Sequence, residues 1–128
     1  TLFRSDPYPY LDTYVYSRTM APPACARVHL VREDAAGHVE ALKAQPAENG
    51  SEAPIYLAGG GVFAGEMLAA GLVDEILVKL NPFVMGQGIR MVEGLPEPLD
   101  LTLAESKVYG SGVALMRYRV NPPRAGRP

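Results

Sequence analysis

Residues 54–88 read PIYLAGGGVFAGEMLAAGLVDEILVKLNPFVMGQG, and the order they spell, strand, glycine turn, helix, strand, decides the fold. Ile55 to Ala58 is a short apolar run suited to a strand. Gly59, Gly60 and Gly61 follow, and three residues without a Cβ let the backbone approach a ligand closely. Val62 to Ala70 has the apolar spacing of a buried helix, which Gly71 ends. A glycine turn feeding a helix N-terminus favours an anion, because free amide N–H groups and the helix dipole face the same spot. The anion expected there is a pyrophosphate.

Beyond the helix, Asp74 and Glu75 open a strand that runs from Ile76 to Leu80. Adjacent carboxylates suggest acid/base chemistry, but neighbours on a strand point to opposite faces, so a polar helix-to-strand junction is the better reading. Asn81 and Pro82 close the strand, and Gly86, Gln87 and Gly88 lie in the following loop, where they allow either a ligand approach or a simple turn. Leu95 to Leu99, LPEPL, is a rigid linker. Leu101 to Ser106 alternates as a half-buried strand should, and Val113 to Val120 returns with the same period after the turn Gly110-Ser111-Gly112, giving an antiparallel hairpin. Asn121 to Pro128 is a proline-rich polar tail expected to be disordered.

Upstream, Thr1 to Ser5, TLFRS, begins without methionine and matches what one frame of a common sequencing adapter would encode. Residues 1–5 are therefore expected to be non-native, with the natural sequence starting near Asp6 and an upstream segment missing. Native codons for these five residues at the genomic locus would overturn that expectation. Asp6 to Asp12 is a proline-broken connector, and Thr13 to Tyr16 is a strand of strong β formers. The strand ends in Ser17, Arg18 and Thr19. A guanidinium fork flanked by hydroxyls suits a phosphate monoester, with a solvated strand end as the alternative. After the proline loop Ala21 to Ala26, Arg27 to Val31 is a further short strand. Asp34 is a credible N-cap for a helix to about Gln45, with Val39 and Leu42 inward and Gly37 as a weakness. Pro46 to Pro54 is a surface connector.

Composition narrows the function classes. The 128 residues make at most one domain. Hydrophobic residues at 48% and charged residues at 20% fit a globular chain, and the net charge of −2 offers nucleic acid no general attraction. Nothing approaches the roughly 20 apolar residues of a membrane helix, and no secretory signal pattern is present, so no membrane partner and a cytoplasmic location are expected. Cys25 is the single cysteine; no motif surrounds it, so it reads as a plain loop or packing residue. His29 and His38 lack partners at ligand spacing, so no metal site is expected.

Gly59, Gly61 and Ala64 formally satisfy the dinucleotide fingerprint G-x-G-x-x-A. A Rossmann unit also wants an acid ending the next strand, roughly 20 residues on, and further strand-helix repeats. Here Lys79-Leu80-Asn81 ends that strand, and a hairpin follows. The order and spacing of Tyr56 to Gly61, Gly71 to Glu75, Pro82 with Gly86 to Gly88, and Met116-Arg117-Tyr118 instead resemble the dihydrofolate reductase-like family. The likeness is to the C-terminal reductase domain of the bacterial bifunctional riboflavin-biosynthesis deaminase-reductase, and Thr13 to Thr19 is similar to that family's cofactor-edge strand.

The resemblance implies an α/β fold over residues 6–120, with a mostly parallel sheet flanked by helices and an antiparallel C-terminal hairpin. It also implies NADPH. The cofactor set would be Ser17, Arg18, Thr19, Gly59, Gly60, Gly61, Val62 and Phe63. In it Gly60 to Phe63 cradle the pyrophosphate and nicotinamide side, Ser17 with Arg18 holds the adenosine 2′-phosphate, and the Gly59–Gly60 peptide is cis. The expected reaction passes hydride to a small-molecule substrate, a phosphoribosylamino-pyrimidine in the riboflavin-pathway relatives, or another pterin-like or carbonyl compound. Lys79 and Asn81 are the candidates to contact it, and a homodimer is the expected assembly. The family's first strand, acidic helix and basic turn would precede Asp6, so no catalytic proton donor can be named in this chain. No deaminase zinc signature occurs in it. A non-catalytic dinucleotide-binding module and a purely structural domain are the alternatives.

Overall fold

The computed structural model describes residues 8–46 and 54–123. Residues 1–5, most of the 46–54 connector and most of the 121–128 tail lie outside the described residues. The fold is mixed α/β, and the described residues form two helices, a parallel strand pair and an antiparallel sheet. The chain divides into two compact units, Thr1–Ala53 and Pro54–Pro128.

In the first unit, β1 (Thr13–Tyr16) and β2 (Val28–Val31) pair in parallel, with Thr13 opposite Val28 and Tyr16 opposite Val31. Helix α1 (Ala35–Ala44) starts where the sequence predicts, at Asp34. Asp34 sits in the left-handed region at φ 48°, and its carboxylate accepts from the Gly37 N–H at 3.1 Å. Gly37 is thus no mere weakness, because a Cβ there would collide with that carboxylate. Val39 and Leu42 are half-buried, as expected.

Helix and strands meet through a ring cluster. Tyr14 stacks on His29 with centroids 5.0 Å apart and lies 5.0 Å from the His38 ring, while the Tyr16 hydroxyl and His38 Nδ1 share a hydrogen bond of 2.9 Å. His29 Nε2 also lies 3.3 Å from Asp12 Oδ1. Sequence spacing put no carboxylate near His29; the strand brings Asp12 there. Burial, and secondarily Tyr14, raises the Tyr16 phenol above its ordinary pKa of 10.0.

In the second unit, residues 55–58 form no strand. A strand needs a ladder partner, and none of the described residues supplies one; Tyr56 is 82% exposed. Helix α2 (Gly61–Ala69) follows, and its Met67 and Leu68, 2% and 6% exposed, are the buried hydrophobic side chains among the described residues. Gly71, at φ 69°, closes the helix. Its N–H donates to the Leu68 carbonyl and that of Leu72 to the Met67 carbonyl, each at 3.0 Å, the paired bonds of a glycine-terminated helix end.

Strand β3 (Glu75–Leu80), β4 (Leu101–Val108) and β5 (Ala114–Val120) form an antiparallel sheet in the order β3-β5-β4. The terminal hairpin is there, and β3 joins it. The expectation that β4 is half-buried fails, since all eight of its residues are exposed. A bulge between Leu103 and Glu105 breaks the alternation and places Glu105 opposite Arg117. Arg117 Nη2 then donates to Glu105 Oε2 at 2.6 Å, and its Nη1 lies 3.9 Å from Glu75 Oε2 on β3. All three side chains are exposed, so each pair contributes at most about 1 kcal/mol; the arrangement sets the register more than the stability.

The segment 90–93 lies directly on the start of α2. The Glu93 N–H donates to the Gly61 carbonyl at 2.9 Å. A Cβ on Gly61 would come within 2.5 Å of the Arg90 carbonyl oxygen, and one on Gly65 would fall onto the Glu93 carbonyl. Backbone rather than side chain blocks both positions, so neither can be relieved by a rotamer change.

Gly65→Ala should therefore lower stability by about 1–3 kcal/mol or more in urea unfolding. Gly60→Ala, which meets nothing within 4 Å, should change it little; equal effects would refute the close approach. Because the folded chain holds the Tyr16 proton more tightly than the unfolded chain, stability should fall as pH rises past the ordinary value of 10.0. Tyr16→Phe should flatten that decline in melts from about pH 9 to about pH 11, and an undiminished slope would assign it elsewhere.

Candidate functional site

The residues singled out from the sequence fall in both units. Ser17, Arg18 and Thr19 belong to the first; Gly59 to Phe63, Lys79 and Asn81 belong to the second.

In the first unit the parallel pairing puts the C-terminal ends of β1 and β2 side by side, the edge at which open α/β sheets take their ligands. The Ser17 N–H extends the ladder by donating to the Val31 carbonyl at 3.1 Å. Ser17 Oγ then accepts from the N–H groups of Met20 at 3.1 Å and Thr19 at 3.4 Å, which folds residues 17–20 into a tight turn. With its lone pairs engaged, the Ser17 hydroxyl keeps its proton as a donor, the polarity a phosphate oxygen requires. Arg18 and Thr19 are exposed at the tip.

A residue that sequence reasoning passed over completes the turn. Arg32, the first residue after β2, donates from Nη1 to the Arg18 carbonyl at 3.0 Å and from Nη2 to the Met20 carbonyl at 3.2 Å. Two guanidinium groups thus belong to one strand edge. The parallel pairing of β1 with β2 is the signal that would have found the second, and neither strand's local sequence carries it.

In the second unit, Gly60 is the N-cap of α2, with φ −65° and ψ 167° and no side-chain cap. The N-cap residue therefore supplies no side-chain oxygen to the first N–H groups, while Glu93 Oε1 lies 3.4 Å from where a Cβ on Gly61 would stand. The three glycines differ in what surrounds them. Gly61 is required by the Arg90 backbone, a Cβ on Gly59 would meet the Phe63 ring at 2.8 Å, and Gly60 faces open space. Of the three, Gly60 is thus the position where an added Cβ would meet no atom of the described residues within 4 Å. The Gly59–Gly60 bond is trans, as are all peptide bonds among the described residues, in place of the cis bond that the resemblance implies; trans is the low-energy form outside X–Pro. Val62 is exposed and Phe63 half-buried on the first turn.

Lys79 lies opposite Leu115 on the sheet face that carries Glu75 and Arg117. Asn81 follows the strand, and its carbonyl accepts from the Phe83 N–H at 2.9 Å. Both are exposed. Arg90 and Glu93, whose backbone supports the glycine turn, lie some thirty residues downstream, and no local pattern announces them. Among the described residues no three of the His, Cys, Asp and Glu side chains cluster as a metal site would require, and no helix is long and apolar enough to cross a membrane.

These features meet a consistent set of relatives. Two uncharacterised proteins of Bacillus subtilis strain 168 are similar to the chain: YwjB, 27% identical over 88% of this chain and 63% of its own length, and YyaP, 26% identical over 84% and 54%. The chain therefore spans little more than half the length of these curated relatives. Among solved structures, a Shewanella sp. PV-4 protein assigned to riboflavin biosynthesis shares the fold with a TM-score of 0.66, at 23% identity over 85% of this chain and 60% of that one. Residues 14–115 match the family described as the RibD C-terminal domain, from β1 into β5, and the chain belongs to that family.

Proposed function

We propose that this chain is the cofactor-binding part of an NADPH-dependent reductase of the riboflavin-pathway type. The observation that carries the reading is the family match over residues 14–115 taken with Gly60, where an added Cβ would meet no described atom within 4 Å at a helix start without a side-chain cap. A dinucleotide asks for anion donors and close backbone approach, and this turn offers both. Gly60 to Phe63 would hold the pyrophosphate and nicotinamide side, with Gly59 beside them in the cofactor set. Ser17, Arg18 and Thr19 would hold the 2′-phosphate, with Ser17 donating its hydroxyl proton and Arg18 its fork.

When bound, the nicotinamide supplies hydride to an electrophilic C=N or C=O carbon. The chain's own part is to orient it and to neutralise its phosphates. A phosphoribosylamino-pyrimidine is the substrate class this reading favours, with Lys79 and Asn81 as its candidate contacts. A second copy of the chain is the proposed partner. An eight-residue β4, exposed along its length and paired on one side only among the described residues, supports that partner.

Full-length protein should bind NADPH and oxidise it when given such a pyrimidine. Binding without turnover on any pyrimidine or pterin would leave a dinucleotide-binding module instead. Gly60→Val should abolish binding while the protein stays folded, because a Cβ at Gly60 meets no described atom within 4 Å and the added side chain would fill the space proposed for the ligand; unchanged affinity would refute the site. Arg18→Ala should weaken NADPH by about 10-fold or more and NADH far less, and an equal loss for both would remove Arg18 from the 2′-phosphate. Sedimentation should give twice the mass of one chain, and a monomer would rule out the dimer.

A further inference from the structure

We infer that Arg32 is a positioning residue for coenzyme choice, acting through the 17–20 turn. The inference rests on the assignment of that turn to the 2′-phosphate. The turn has two sets of backbone groups to satisfy. Its N–H groups, from Thr19 and Met20, are taken by Ser17 Oγ, and its carbonyls, from Arg18 and Met20, are taken by the two terminal nitrogens of Arg32. Each side of the turn is held by one side chain, and each of those side chains stands at the end of one of the two paired strands.

Two physical consequences follow. First, a carbonyl oxygen carries partial negative charge, and two of them at the edge of a phosphate site would repel the ligand. Bonding both to a guanidinium compensates that charge before any ligand arrives. Second, the planar fork fixes the two carbonyls relative to one another, which fixes the backbone of Arg18 and Thr19 between them. A lysine ammonium is a compact point charge on a flexible stem and cannot impose the same spacing. Arg32 thereby pre-organises the tip from which Arg18 and Thr19 project, and ordering it in advance spares the ligand that entropy.

The test uses full-length protein and three variants, Arg32→Ala, Arg32→Lys and Arg18→Ala, with NADPH and NADH affinities measured for each. Amide hydrogen exchange at Thr19 and Met20 is followed without ligand. Both Arg32 variants are expected to exchange these amides faster and to lose about 10-fold or more of the preference for NADPH, the equivalent of one charge-assisted hydrogen bond. Lysine should rescue little of it. Preference retained in Arg32→Lys, with exchange unchanged, would show that Arg32 acts as a charge and would overturn the proposal. Equal weakening of NADPH and NADH would overturn it in favour of a structural role alone. If the preference vanishes in Arg18→Ala but survives in both Arg32 variants, the turn assignment stands and only the role of Arg32 falls. If the unmodified protein binds neither coenzyme, the assignment and the inference fall together.

Discussion

The start of α2 depends on a backbone-to-backbone approach. The segment 90–93 lies on Gly61 and Gly65 so closely that the Glu93 N–H reaches the Gly61 carbonyl at 2.9 Å, and no Cβ fits at either glycine. The contact orients the first turn of the helix and anchors the far end of the loop that leaves β3. That loop carries Val84 and Ile89, 97% and 95% exposed, so few side-chain contacts restrain it before Arg90. With the helix start fixed from one side by backbone, Gly60 is left open on the other. The glycines of the turn thus differ, with Gly61 packed under the 90–93 backbone and Gly60 open among the described residues.

The first unit solves a similar problem with side chains. Two short parallel strands end together, and a serine and an arginine tie off opposite polarities of the turn between them. Behind the turn, the Tyr14, Tyr16, His29 and His38 rings pack α1 onto the strands, and the Tyr16–His38 hydrogen bond satisfies the phenol that burial would otherwise penalise. The exposed tip therefore stands beside a packed ring cluster. No comparable ring cluster supports the antiparallel sheet among the described residues; its register follows from the Leu103/Glu105 bulge and the Arg117 pairings.

Much of the local structure was legible residue by residue. Asp34 as N-cap, Gly71 as helix stop, the strand of Thr13 to Tyr16 and the Gly110 to Gly112 hairpin turn all follow from short-range chemistry, and each lies where that chemistry puts it. The misreadings have a common cause. Ile55 to Ala58 has strand composition, but a strand exists only with a partner. The β4 alternation is regular in sequence, but a half-buried strand needs an element over one face, and all eight β4 residues are exposed among the described residues. The need for Gly37 lies in its contact with the Asp34 carboxylate, and His29 meets Asp12 only because β2 pairs with β1.

The sequence by itself determined the family, the helix ends and the hairpin, because these rest on contacts within a few residues or on the order of motifs along the chain. The tertiary structure alone decided which glycine of the turn is open and which is packed, and that Arg32 belongs with Ser17 and Arg18. Both depend on segments far apart in sequence, the 90–93 backbone on α2 and the end of β2 beside the end of β1. Proximity of that kind is fixed by strand pairing and close backbone packing, and no window of neighbouring residues encodes it.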